Sequence, residues 1–132
     1  MKNILIVDDE IRIRSLYYKV LVKNGFNVEV ADDIYKACRR LKNKNVDLVL
    51  WNVEVPRKTG NKLLEYLPRL DQSFRLIVIS VYSVEEQREA VPDADDYFDK
   101  AKGTGTLISK IKSVLRKRRL PNSCMLLEKG LT

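Results

Sequence analysis

Short runs rich in β-branched residues alternate with stretches of helical periodicity from one end of the chain to about residue 118. The apolar runs lie at Asn3 to Val7, Asn27 to Ala31, Val46 to Trp51 and Leu76 to Ser80, with a weaker one from Asp96 to Asp99. Between them, apolar residues recur at helical spacing. Ile13, Leu16, Tyr17, Val20 and Leu21 share a face, and Gly25 follows as a stop. Ile34, Ala37, Cys38 and Leu41 form a second stripe, with Asp33 placed to cap it. Leu63, Leu64, Leu67 and Leu70 form a third. A short, weakly amphipathic fourth helix runs from about Ser83 to Val91 and is stopped by Pro92. Leu107, Ile108, Ile111, Val114 and Leu115 mark the fifth. Five strands alternating with five helices predict an α/β fold, a parallel sheet with helices on both faces. Right-handed crossovers leave few topologies open.

The length of 132 residues suits one domain with one respectable core. No apolar stretch approaches the roughly 20 residues that a membrane helix needs. The run Ile4 to Val7 is too short for a signal-peptide core, and carboxylates follow it at once. A cytosolic, cytoplasmic protein is therefore expected. From Leu120 the chain reads Leu-Pro-Asn-Ser and loses periodicity. This predicts a domain over 1–119 and a linker or tail over 120–132, leading to an effector domain or cut from a longer protein.

Two cysteines, Cys38 and Cys124, make neither a disulfide framework nor a metal site. The absence of histidine excludes zinc chemistry and His-based catalysis, so any metal must be hard and oxygen-bound. The net charge of +7 owes much to Lys110, Lys112, Arg116, Lys117, Arg118 and Arg119. Such a run can mark a nucleic-acid surface, but it also suits a solvated helix end whose cations complement the dipole. No aromatic residues interleave it, which weakens the nucleic-acid reading.

In open parallel sheets, ligands bind beyond the carboxyl ends of the strands. Asp8, Asp9 and Glu10 follow the first strand, Asn52 ends the third, Ser80 the fourth, and Tyr97 and Lys100 stand at the fifth. Two carboxylates, an amide, a hydroxyl and an ammonium are thus expected to converge. Adjacent carboxylates suit Mg²⁺, which takes a few oxygens and keeps several waters. Metal, hydroxyl and ammonium around one point would neutralise a phosphoryl group in transfer. The nucleophile is missing: a carboxylate can accept a phosphoryl group, and the amide of Asn52 cannot form that acyl phosphate.

The strings Ile4-Leu5-Ile6-Val7-Asp8-Asp9-Glu10, Asp47-Leu48-Val49-Leu50-Trp51-Asn52-Val53-Glu54-Val55-Pro56 and Asp96-Tyr97-Phe98-Asp99-Lys100 resemble the receiver domains of two-component response regulators. The resemblance covers about residues 2 to 118. It implies a flavodoxin-like, doubly wound sheet of order 2-1-3-4-5 and a Mg²⁺-dependent phosphoaspartate switch. By the same resemblance Asp8 and Asp9 form the acidic metal pocket, with Asn52 at the phosphoacceptor position and third metal-facing place. Ser80 is the switch hydroxyl, Tyr97 the switch aromatic and Lys100 the phosphate-sensing lysine. A sensor histidine kinase or phosphotransfer protein, a second receiver copy and an effector domain beyond residue 120 are the implied partners. Mg²⁺ is expected to bind weakly, because the third carboxylate is gone.

Three departures matter. Asn52 replaces the acceptor, Val55 stands where the family often has methionine, and Ala101 stands where a proline usually follows the lysine through a cis bond. A cis bond before a non-proline residue costs about 2.5–4 kcal/mol, so the peptide either stores that strain or turns trans. Asn52 in an otherwise intact set suits a change that blocks phosphorylation. Val55 and Ala101 suit a receiver that has drifted from the switch. Both readings predict a binding module rather than an enzyme. A flavin- or nucleotide-binding enzyme on the same fold would need an anion loop after the first strand, where Asp8, Asp9 and Glu10 repel phosphate.

Overall fold

A computed structural model of the chain describes residues 1–43, 45–52 and 74–117. Its strands are β1 (Asn3–Val7), β2 (Asn27–Ala31), β3 (Leu48–Asn52), β4 (Arg75–Ser80) and β5 (Asp96–Asp99). Four helices lie among the described residues: α1 (Ile11–Lys23), α2 (Ile34–Leu41), α3 (Val84–Ala90) and α4 (Thr104–Arg116). The predicted third stripe, Leu63 to Leu70, lies outside the described residues, as do Val55 and the tail 120–132.

All four pairings are parallel and the order is β2-β1-β3-β4-β5, the flavodoxin-like arrangement expected. The reason is legible in the strands. Near-continuous apolar runs such as Ile4-Leu5-Ile6-Val7 have no polar face to offer water, so both faces must be covered. Alternation along each strand then sorts side chains into two layers. Leu5, Val7, Val49, Trp51 and Val78 pack with Ala37 and Leu41 of α2 and with Val91 beyond α3. Ile4, Ile6, Leu50, Ile77, Ile79 and Phe98 pack with Tyr17 and Leu21 of α1 and with Leu107, Ile111 and Val114 of α4. Each fully buried Leu or Ile side chain contributes about 1.5–3 kcal/mol.

Leu16 departs from the face expected for it. It is 46% exposed, because the strip of α1 that meets the sheet is only as wide as Ile13, Tyr17, Val20 and Leu21. The helix ends as the glycine foretells. Gly25 takes φ +87°, its N–H donates to Val22 O, and the Phe26 N–H donates to Leu21 O. At α2 the Asp33 carboxylate accepts the Lys36 N–H at 2.8 Å. At α3 the Ser83 hydroxyl accepts the Glu86 N–H at 3.2 Å, with Glu85 and Glu86 in the first turn.

Because every strand runs the same way, the carboxyl ends of β1, β3, β4 and β5 open on one end of the molecule. That end is where the polar residues collect.

A crevice at the carboxyl ends of the strands

Asp8 leaves β1 with its backbone N–H still held by Ala31 O at 3.1 Å, so the strand geometry reaches it. Its side chain is buried. One carboxylate oxygen, Oδ1, accepts the Glu10 N–H at 2.8 Å and the Asn52 side-chain amide at 3.2 Å. The other, Oδ2, lies 3.5 Å from Lys100 Nζ. Burial pushes the Asp8 carboxyl up from its ordinary range, against the downward pull of the Glu10 N–H and the Lys100 ammonium. An Arg14 guanidinium N–H donates to the Asp8 carbonyl at 3.0 Å, which ties the first turn of α1 to the strand end.

Asp8, Asn52 and Lys100 therefore meet, from three different strands. Asn52 is the last residue of β3 and stands beside Ile79 of β4 in register. Lys100 follows β5, and its backbone N–H donates to Ser80 O at 2.8 Å. The turn beyond it is fixed by the Ala101 N–H, which donates to Asp99 Oδ1 at 2.8 Å. Ser80 is buried, and its hydroxyl accepts the Tyr82 N–H at 3.2 Å. Asp9 is exposed at the rim. Among the described residues, no group of three or more His, Cys, Asp or Glu is placed to hold a metal ion, as follows from an amide in third place.

Tyr97 stands apart from this set. It faces the other apolar layer, buried, with its hydroxyl donating to Val91 O at 2.6 Å and the Arg88 guanidinium 5.0 Å from its ring centre. Burial raises its phenol pKa. Two residues that sequence reasoning passed over take part. Arg14 carried no signal beyond its charge. Gln87 hid behind the weak amphipathicity of α3, because the residue that α3 buries is polar.

Of the basic run on α4, Lys110 is paired with Asp96 at 3.3 Å, while Lys112 is exposed within the helix and Arg116 and Lys117 are exposed at its end. No helix among the described residues is long and apolar enough to cross a membrane.

Comparison with known proteins places this geometry. The response regulator receiver domain model matches residues 4–112. The transcriptional regulatory protein CpxR of Escherichia coli K12 is 34% identical over 119 residues, 89% of this chain and 50% of that protein. The chain spans about half the length of the curated relatives it matches. The Thermotoga maritima response regulator TrrA, solved with Mg²⁺ and BeF, is similar with TM-score 0.74 at 28% identity, over 86% of this chain and 99% of that one. The same regulator, solved in complex with the histidine kinase ThkA, gives TM-score 0.72 at 29% identity, over 87% and 99%. With four-fifths of its length under that family model and its strands in the order 2-1-3-4-5, the chain belongs to the response regulator receiver domain family.

Proposed function

We propose that this chain is a receiver module that takes no phosphoryl group at position 52 and signals by binding partners. The observation that carries the reading is the Asn52 amide, which donates to Asp8 Oδ1 at 3.2 Å where a phosphoacceptor carboxylate would stand. An amide nitrogen shares its lone pair with the carbonyl and offers no anionic oxygen to phosphorus. In this reading Lys100 is the phosphate-sensing lysine without a phosphate, held instead by Asp8. Ser80 is the switch hydroxyl and Tyr97 the switch aromatic. The chain has no catalytic residue of its own and acts in the cytoplasm.

The donor set fits a loosely held Mg²⁺. Asp8 and Asp9 supply carboxylate oxygens from one strand end, and Asn52 supplies a neutral carbonyl oxygen. The Lys100 ammonium already offsets part of the Asp8 charge. A bound Mg²⁺ would supply positive charge for phosphoryl oxygens. Asp8, Asp9 and Asn52 would hold it, beside the Lys100 ammonium.

A sensor histidine kinase or phosphotransfer protein remains the natural partner class, as with the kinase that binds TrrA. CpxR is a transcriptional regulatory protein about twice as long as this chain, which supports an effector domain following residue 120. A second receiver copy is the other partner of this kind.

The test is labelling by acetyl phosphate with Mg²⁺. The chain as it stands takes no label, and Asn52→Asp takes up about one phosphoryl group per molecule. Label on the unsubstituted chain overturns the reading. A variant that stays unlabelled shows that the loss extends beyond position 52.

A further inference from the structure

Helix α3 is seated by an unusual residue. The buried residue of α3 is Gln87, with 0% of its surface exposed. A buried carboxamide is costly unless its two halves find partners. The nitrogen does: Nε2 donates to Tyr82 O at 2.8 Å and to Phe98 O at 2.9 Å. The oxygen does not, and Oε1 is sealed from water without a partner. An apolar side chain of the same length would leave no orphaned oxygen, but it would strip the Tyr82 and Phe98 carbonyls of this donor. What the glutamine adds is a fixed distance between two backbones.

Those backbones adjoin the two residues assigned to the switch: Tyr82 lies two residues after Ser80, and Phe98 directly follows Tyr97. Tyr82 is gripped from both sides, its N–H by the Ser80 hydroxyl and its carbonyl by Gln87. The Tyr97 hydroxyl donates to Val91 O at the end of α3. The Val91 N–H closes the circuit by donating to Gln87 O at 2.9 Å. We propose that Gln87 is the positioning residue of the Ser80 loop, locking the hydroxyl at the end of β4, helix α3 and the aromatic on β5 into one body. A change at Ser80 then reaches Tyr97 through the Gln87 amide. The linkage holds whether position 52 carries Asn or Asp, and so stands apart from the acceptor question.

Nuclear magnetic resonance on the whole chain tests this. Ser80→Ala removes the acceptor for the Tyr82 N–H, and its effect should spread to the amide signals of Val91 and Phe98. In a Gln87→Met background, the same Ser80→Ala change should leave Val91 and Phe98 unmoved. The amides of Gln87 and Val91 should also exchange at least about tenfold faster in Gln87→Met, while those of Ile111 and Val114 change less than about twofold. Undiminished spread from Ser80 to Phe98 in Gln87→Met overturns the proposal. If Gln87→Met does not fold, couplings across the hydrogen bonds decide in the unsubstituted chain. Signals from Gln87 Nε2 to the Tyr82 and Phe98 carbonyl carbons support the linkage, and their absence removes it.

Discussion

Asn52→Asp sets one carboxylate against another in a site that already disfavours charge. The variant loses the amide donor to Asp8 Oδ1 and adds a negative group beside a carboxyl whose pKa burial has raised. Without divalent ion it should unfold at lower urea, by on the order of 1–2 kcal/mol. Millimolar Mg²⁺ should return most of that loss, because only the folded state binds the ion. An Asp variant as stable as its parent without Mg²⁺ would mean that Lys100 alone neutralises both carboxylates. Tyr17 makes a second prediction. Burial, with Asp8 and Glu10 adding repulsion, lifts its phenol from 10.0 to about 12. The folded chain thus holds this proton more tightly than the unfolded chain does. The stability it contributes is complete below pH 10.0 and is lost as the pH rises through about 12. Tyr17→Phe should remove roughly 2 kcal/mol of the alkaline loss, read as the difference between the two proteins' unfolding midpoints from pH 9 to 12. At this scale the sequence disclosed which residues stand at the strand ends, because strand ends are where apolar runs stop. It did not disclose that the Asn52 amide turns to Asp8, since that depends on contacts between β1 and β3.

Elements differ in how openly their residues declare them. The stripes of α1, α2 and α4 face the sheet as periodicity requires, with Leu16 at the rim as the exception. The start of α2 is fixed by one carboxylate. Asp33→Ala should cost about 1 kcal/mol in urea unfolding, and Asp33→Ser should recover most of it. An unchanged midpoint for the alanine variant would show that the Lys36 N–H finds water instead. Helix α3 was the hardest to read, because hydrophobic periodicity has no means of registering a glutamine as inward. Its side chain is buried against two carbonyls, one in the turn before the helix and one on β5, and only the fold brings them together. Strand limits shift by a residue or two for a related reason. Val46 is buried, but the β3 ladder begins at Leu48 opposite Ile4.

Among the described residues, the molecule is two apolar layers sharing one set of strands. Val49 and Leu50 are neighbours in β3, yet they point into different layers. Since the layers share the same backbone, neither can melt alone. Val49→Ala and Leu50→Ala should each give a single transition in which Trp51 fluorescence and far-ultraviolet circular dichroism coincide. The leucine variant should lose about 2–5 kcal/mol and the valine variant less. Separate transitions for the two probes would assign each layer its own cooperative unit. The order of the strands also has a consequence in time. The interior strand β1 has Ile4 paired with Val28 on one side and Leu48 on the other. During synthesis those partners emerge only after β1 has left the ribosome, so four consecutive apolar residues wait uncovered while β2 and then β3 are made. A nascent chain stopped before residue 48 is therefore the form that a chaperone should hold longest, and release should follow the arrival of β3.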